Sequence, residues 1–196
     1  MVSIVRYADD FVIGVQYRSD GIALRSKLEK RLALYGLKLH PEKTRLLEFG
    51  QYAQVNRAER GMARPETFDF LGFTHVCGVR RSDGEFALRR MSISKRVRAF
   101  LQRVKLDLKA RYAWPVAQQG GWLRSVVRGY FQYHGVPGNM GTLETVRREV
   151  NRMWLRTLRR RSQRHDMTWQ RLNEWVRRWI PSCKIVHLYP NQRFAF

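Results

Sequence analysis

Two adjacent aspartates, Asp9 and Asp10, are the residues of this sequence best suited to chemistry. They stand between two runs rich in β-branched and aromatic residues, Val2 to Tyr7 and Phe11 to Val15, which predict a β-hairpin around an Ala-Asp-Asp turn. Adjacent carboxylates are costly unless a cation joins them, and a hard divalent ion such as Mg²⁺ is the natural partner. Two such ions could activate a hydroxyl and neutralise phosphoryl charge in nucleotidyl transfer. The alternative is an ordinary turn, in which Asp is common.

The residue pattern that positions these carboxylates predicts an α+β fold. After the hairpin, Asp20 is expected to cap a helix with an apolar stripe, and Gly36 is expected to end it. Short extended pieces are predicted at 37–41 and 44–49, followed by a loop at 51–66. A second hairpin is predicted over 68–79 and 85–88, with its turn at Ser82-Asp83-Gly84.

Beyond Met91 the apolar spacing changes to the helical period, which predicts a bundle of three or four helices. Ser94 is expected to cap the first helix and Thr168 the last, which ends before Pro181. The other helices are predicted over about residues 118–134 and from about Thr142. The helix that begins near Thr142 is expected to bury its apolar side chains and to leave its many arginines outward.

The charge of the chain points to a polyanionic partner. The sequence has 38 Lys and Arg against 16 Asp and Glu, a net charge of +22. Residues 1–75 hold 12 basic and 9 acidic residues, whereas residues 76–196 hold 26 and 7. Such an excess favours nucleic acid. No run approaches the roughly 20 apolar residues of a membrane span and no signal peptide opens the chain, so no membrane partner is expected.

The two cysteines, Cys77 and Cys183, predict no disulfide framework and fit a reducing, intracellular setting. A Cys2His2 zinc site with His75 and His187 is the alternative. The spacing lacks the usual C-x2-4-C and H-x3-5-H halves, so no zinc is expected.

Several blocks, in order along the chain, resemble those of one family. Tyr7-Ala8-Asp9-Asp10, Leu37 to Thr44 and Phe68 to Phe73 resemble successive blocks of bacterial group II intron reverse transcriptases. Later segments are similar to the maturase-specific domain of that family, although Leu188 stands where proline is expected: 129–139, 154–156, 160–164, 168–169 and 185–190.

The resemblance implies that residues 1–90 are the end of a polymerase palm and that residues 91–196 are a basic helical thumb. It implies RNA-directed DNA polymerisation, with Asp9 as the main Mg²⁺ ligand, Asp10 contributing less directly, and Lys43 as a general acid or phosphate ligand. It also implies that three residues contact the primer and template: Tyr7, Leu71 and Gly72. Alternatively, Lys43 is an ordinary solvated lysine on the surface. Gly72 could likewise mark only a bulge in a strand.

Group II intron RNA is the expected partner of the basic helices, beside an RNA template and DNA primer. Guanidinium groups suit phosphate oxygens, which favours the helix from Arg147 onward: Arg147, Arg148, Arg152, Arg156, Arg159, Arg160, Arg161 and Arg164. The first thumb helix offers Lys95, Arg96, Arg98 and Arg103 as the second choice. Among the aromatic residues, most are expected in the core, and only Tyr133 or His134 is considered for contact with RNA.

A complete polymerase site of this family needs a third carboxylate and nucleotide-binding fingers, and these 196 residues contain neither. We therefore expect the chain alone to bind RNA without polymerising, to act with a separate amino-terminal half, and to expose surface that this half would cover. No His-Asn-His nuclease domain is expected, and the resemblance implies the bacterial cytoplasm. A non-catalytic maturase module and a nonspecific basic nucleic-acid-binding protein are the alternatives.

Overall fold

The computed structural model describes residues 2–80, 83–161 and 168–188. It contains small antiparallel sheets followed by a helical region, which confirms the predicted α+β class. The chain divides into two compact units, Met1–Phe70 and Leu71–Phe196. The division at residue 90, implied by the family resemblance, stays a prediction. The compact units separate earlier, so the second hairpin belongs with the helices.

The first unit opens with the predicted hairpin. Strands β1 (Val2–Tyr7) and β2 (Asp10–Val15) pair antiparallel, with Val2 opposite Val15 and Tyr7 opposite Asp10. A two-residue loop therefore joins them, and Asp10 already belongs to the second strand.

Helix α1 (Arg18–Ala33) follows the hairpin, and its predicted end is confirmed. Gly36 has a φ of 69°, and the amide of Leu37 donates to the carbonyl of Leu32 at 3.0 Å, which closes the helix as a glycine C-cap does. The predicted cap at Asp20 is wrong, because the helix begins earlier and Tyr17 is its N-cap. Asp20 instead lies in the first turn, where its negative charge suits the helix dipole.

The segment predicted as a loop over residues 51–66 contains helix α2 (Ala53–Glu59), so that prediction is wrong in part. Burial of Ala53 and long-range ion pairs stabilise this short helix. Arg60 donates to Glu48 at 2.5 Å, and Arg57 lies 4.0 Å from both Glu48 and Glu66. The helix propensity of residues 53–59 alone could not reveal the partners Glu48 and Glu66, which lie outside the segment. The pieces at 37–41 and 44–49 are described and form no strand.

Strand β3 (Phe68–Phe70) ends the first unit, and the second unit opens with a hairpin. Strands β4 (Phe73–Val79) and β5 (Phe86–Ser92) pair antiparallel, with Phe73 opposite Ser92. Gly84, with a φ of 71°, lies in the connecting turn, whereas Ser82 lies outside the described residues. Strand β5 continues four residues beyond the predicted Leu88, and its last residue, Ser92, is buried.

The described residues of the second unit also form the four predicted helices: α3 (Ser94–Ala110), α4 (Val116–His134), α5 (Met140–Arg159) and α6 (Trp169–Trp179). Thr168 caps α6, since its side-chain oxygen accepts from the amide of Arg171 at 3.3 Å. The predicted cap at Ser94 is wrong: Ile93 is the N-cap, and no side chain bonds there. The helices bury one shared core: Val104, Leu108, Leu123, Val127, Leu143, Val146, Val150, Trp154, Leu158, Leu172 and Val176.

Two fully buried amides tie this core together. The Gln119 side chain donates to the carbonyl of Arg111 at 2.7 Å and accepts from the indole N–H of Trp154 at 3.1 Å. Asn139 accepts from the amide of Ser92 at 3.1 Å and donates to the carbonyl of His134 at 2.8 Å. Each amide therefore satisfies groups from two different elements, as buried polar groups require. Within the described parts of the chain, no helix is both long enough and apolar enough to cross a membrane.

Candidate functional site

The carboxylate hairpin places Asp9 at the tip of its turn. Ala8 and Asp9 form the loop, and Ala8 has a φ of 54°, a conformation that residues other than glycine rarely adopt. The Arg6 side chain donates to the carbonyl of Ala8 at 2.8 Å, which holds the turn. Asp9 and Asp10 are both exposed. The arrangement therefore presents two neighbouring carboxylates from a turn with a strained residue, a feature that often marks functional sites.

The two aspartates supply oxygen ligands that suit Mg²⁺, but the set is incomplete. Across residues 2–80, 83–161 and 168–188, no group of three or more His, Cys, Asp or Glu is arranged to hold a metal ion. Two adjacent carboxylates fall short of the oxygen cage that a hard cation takes in a polymerase site. No catalytic step through a metal ion follows from these residues alone.

The other predicted residues of the first unit lie on separate pieces of chain. Lys43 is exposed on a turn in which the amide of Thr44 donates to the carbonyl of His40 at 2.9 Å. Tyr7 is 65% exposed at the end of β1, opposite Asp10. The hairpin thus brings Tyr7 and the two aspartates together, whereas Lys43 belongs to a different turn.

The turn at Leu71 and Gly72 opens the second unit with two successive positive φ angles, 48° and 82°. The hydroxyl of Tyr133 donates to the carbonyl of Leu71 at 2.7 Å, and a Cβ at Gly72 would lie 3.2 Å from the Arg96 guanidinium. The glycine is needed for its backbone conformation as well as for space. The structure thus gathers Gly72, Arg96 and Tyr133, which the sequence suggested for separate reasons. Their contact with primer or RNA stays a prediction.

His134 differs from its neighbour Tyr133, which is 52% exposed. The His134 ring stacks on Tyr130 with centroids 4.2 Å apart, and its Nδ1 lies 2.7 Å from the hydroxyl of Ser92. Burial, and secondarily the positive charge of Arg96, lowers the pKa of His134 to about 4. The ring is therefore neutral at pH 7 and shares a hydrogen bond with the Ser92 hydroxyl through Nδ1, which is a structural role. Tyr133 is the more accessible of the two for a ligand.

The arginines of α5, together with Arg160 and Arg161 directly after it, fall into two groups. Arg147 and Arg161 are tied to the protein: Arg147 donates to the carbonyl of Pro181 at 3.1 Å, and Arg161 donates to the carbonyl of Trp114 at 2.6 Å. The others are exposed: Arg148, Arg152, Arg156, Arg159 and Arg160. Arg164 lies outside the described residues. Exposed guanidinium groups are the ones that solvent, and therefore a phosphate, can reach.

Among the exposed arginines, availability differs further. Glu149 lies 3.0 Å from Arg152 and 3.8 Å from Arg148, so it partly neutralises both. The guanidinium of Arg156 has no hydrogen-bond or ion-pair partner within the described ranges. It is therefore the arginine of α5 that is most available to an external anion.

The first half of α3 carries the second predicted basic group. Its members are all exposed: Lys95, Arg96, Arg98 and Arg103. Helix α3 packs against α5 through apolar residues such as Val104 and Leu108, which leaves these charges on its outer side.

One comparison with known proteins matches part of the chain. Residues 1–75 match the family model described as reverse transcriptase (RNA-dependent DNA polymerase). A comparison with curated proteins gave no match. The matched segment contains the carboxylate hairpin, Lys43 and the Leu71–Gly72 turn, and the match supports a reverse-transcriptase-type, RNA-directed DNA polymerase function for it. Over residues 1–75, the chain is therefore similar to a reverse transcriptase domain.

Proposed function

We propose that this chain is the carboxy-terminal part of a group II intron reverse transcriptase and maturase, and that its helical unit binds intron RNA. The observation that carries the RNA-binding proposal is the row of exposed arginines on α5, opposite a fully buried apolar face. Leu143, Val146 and Val150 are each 0% exposed, so the packed face holds the helix rigidly while exposed arginines such as Arg156 lie on its outer side.

The charge of the second unit supports a polyanionic ligand. Residues 71–196 contain 26 basic and 7 acidic residues, whereas residues 1–70 contain 12 and 9. Arginines that release counterions from phosphates give binding that weakens steeply as salt rises. Intron RNA is the form of polyanion that agrees with the reverse transcriptase match at residues 1–75 and with the maturase-like blocks that follow.

The test is a paired charge reversal on two helices of the same unit. Arg156→Glu with Arg160→Glu should weaken binding to a structured group II intron RNA by at least about tenfold, because each charge-assisted hydrogen bond contributes about 1.5–3 kcal/mol. Arg161 is left intact because it bonds to the backbone. The matched control is Arg124→Glu with Arg128→Glu, which changes the net charge equally on the exposed side of α4.

Filter binding at fixed salt measures both variants, with circular dichroism as the check on folding. Equal losses in the two variants would mean that net charge, and not the α5 face, governs binding. Unchanged affinity in the α5 variant would move the interface to the basic residues of α3.

A nonspecific nucleic-acid-binding protein is the second candidate, favoured by the same excess of positive charge. Competition distinguishes the two functions. The maturase proposal expects intron RNA to outcompete duplex RNA of equal length, whereas a nonspecific protein would bind both alike.

For catalysis we propose that Asp9 and Asp10 bind Mg²⁺ only when an amino-terminal half supplies the remaining carboxylate. The chain alone should then fail in a primer-extension assay, and addition of the amino-terminal half should restore DNA synthesis. Asp9→Ala should abolish the restored synthesis, whereas Asp20→Ala, an exposed aspartate of α1, should leave it unchanged. Divalent-ion-dependent synthesis by the chain alone would contradict this part of the proposal.

A further inference from the structure

Trp169 is an exposed aromatic residue in a helical unit that buries most of its large side chains. It is the first residue of α6, and its side chain is 46% exposed, whereas Trp154 is 0% exposed in the core. The hydrogen bond from the Arg171 amide to Thr168 fixes the start of α6. The exposed indole therefore belongs to the capped first turn of α6.

Trp169 borders two clefts along the outer side of α5. The first has a volume of about 490 Å³ and is lined by Arg152, Leu155, Arg156, Arg159 and Trp169. The second has a volume of about 450 Å³ and is lined by Glu144, Arg147, Arg148, Asn151, Trp169, Ser182 and Cys183. Both are open hollows in the surface and not enclosed cavities.

The first cleft combines positive charge with an aromatic face. Arg152, Arg156 and Arg159 are all exposed, and the Arg156 guanidinium has no protein partner within the described parts of the chain. An aromatic ring flanked by guanidinium groups matches a nucleotide, whose base stacks on the ring while its phosphates bind the charges.

The second cleft contains an unused polar group. The side-chain oxygen of Asn151 is buried and lacks a hydrogen-bond partner among the described residues. A buried amide without a partner is costly, and an amide can hydrogen-bond to the edge of a base. The lining of the second cleft thus contains an amide with an unsatisfied oxygen, a feature that a merely basic surface lacks.

We propose that Trp169 is a base-stacking platform for single-stranded RNA, between a phosphate-binding cleft at Arg152, Arg156 and Arg159 and a base-edge cleft at Asn151. The proposal deepens, and rests on, the RNA-binding function proposed above. The ligand is single-stranded because only an unpaired, unstacked base leaves its face free for an indole. An unpaired segment of a structured RNA would serve as well as a free strand.

The test combines a side-chain change with a change in the RNA. Fluorescence anisotropy measures the Kd of the full chain for a labelled single-stranded RNA and for the same strand with abasic riboses. Trp169→Leu should weaken binding of the base-bearing strand by about 5- to 150-fold, the range of base–aromatic stacking, and should leave binding of the abasic strand unchanged. Trp169→Phe retains an aromatic face and should lose much less.

Trp114 provides the matched control, since its side chain is 41% exposed and lines neither cleft. Trp114→Leu should bind both strands as the wild type does. Equal losses of Trp169→Leu on base-bearing and abasic strands would overturn stacking, and so would wild-type affinity of Trp169→Leu for the base-bearing strand.

These outcomes are distinct from failure of the proposed function. If the wild-type chain binds no RNA, the RNA-binding function fails and the platform fails with it. If the wild type binds RNA and the α5 charge reversal weakens it while Trp169→Leu does not, only the platform is wrong.

Discussion

The two compact units of this chain hold their functional residues by different means. Among residues 2–70, all of which are described, only Gly21 and Ala53 are buried, and apolar side chains such as Ile4 and Val5 are more than half exposed. The second unit encloses a continuous core in which Leu123, Leu143 and Trp154 are 0% exposed. The first unit therefore positions its carboxylates by turn geometry, whereas the second positions its arginines on a packed scaffold.

The first unit carries the candidate catalytic residues, whereas the second carries the candidate binding residues. A hairpin tip such as Ala8-Asp9 keeps its shape through a few local hydrogen bonds and one strained residue, and it can serve a metal site only as one contributor. The arginine row of α5 needs no further partner to be aligned, because the opposite face of the same helix is buried. Binding is accordingly the activity that we propose for the described chain itself.

The strongest way to break this comparison is a pair of matched leucine truncations. Leu143→Ala in α5 should lower the free energy of unfolding by about 2–5 kcal/mol, because it leaves a cavity in a close-packed core. Leu28→Ala in α1 should cost less than about 1.5 kcal/mol, since that side chain is only half-buried. Urea titrations followed by circular dichroism measure both. Similar losses would mean that the first unit has a core of comparable strength.

The second prediction concerns the pH dependence of stability, which His134 in the packed second unit should affect. The folded-state pKa of His134 is about 4, below the unfolded value of about 6.5, so the folded protein resists protonation. The contribution of neutral His134 to the free energy of unfolding is therefore complete above about pH 6.5 and is lost as pH falls toward 4. With solvent screening allowed for, this loss is about 1–2 kcal/mol.

Chemical denaturation across this pH range, for the wild type and for His134→Gln, measures the effect. Glutamine is not protonated in this pH range. The difference between the two profiles of unfolding free energy against pH therefore isolates His134 from the carboxylates of the chain. Parallel profiles would show that His134 does not contribute to the pH dependence.

The smallest expected effect is at the hairpin turn. Ala8→Gly should stabilise the turn by less than about 1 kcal/mol, because glycine adopts a positive φ without strain but loses more entropy on folding. Ala8→Val, as the opposing variant, should destabilise it, since a β-branched side chain resists that conformation. Hydrogen exchange of β1 and β2 amides measures both. Faster exchange in Ala8→Gly would argue against strain at this residue.

The predictions from sequence were most accurate where the information is local. The alternating runs on either side of Asp9 predicted β1 and β2, and the apolar spacing of the back half predicted the four helices and the cap at Thr168. The caps at Asp20 and Ser94 were predicted wrongly because the helices begin before the expected position, where Tyr17 and Ile93 make no side-chain cap. Helix α2 was missed because ion pairs to Glu48 and Glu66 stabilise it.

The sequence by itself determined the order of elements, the basic second half and the position of the two aspartates at a turn, because periodicity, charge and turn chemistry act over a few residues. Only the tertiary structure decided which charges remain available. It ties Arg161 to the carbonyl of Trp114, leaves the Arg156 guanidinium without a partner in the described chain, and places Trp169 beside both clefts. These outcomes depend on neighbours tens of residues apart, which no local pattern specifies. The carboxylate hairpin and the arginine-rich helix are thus evident from the residues alone, whereas the choice among its arginines and the place of Trp169 beside them required the fold.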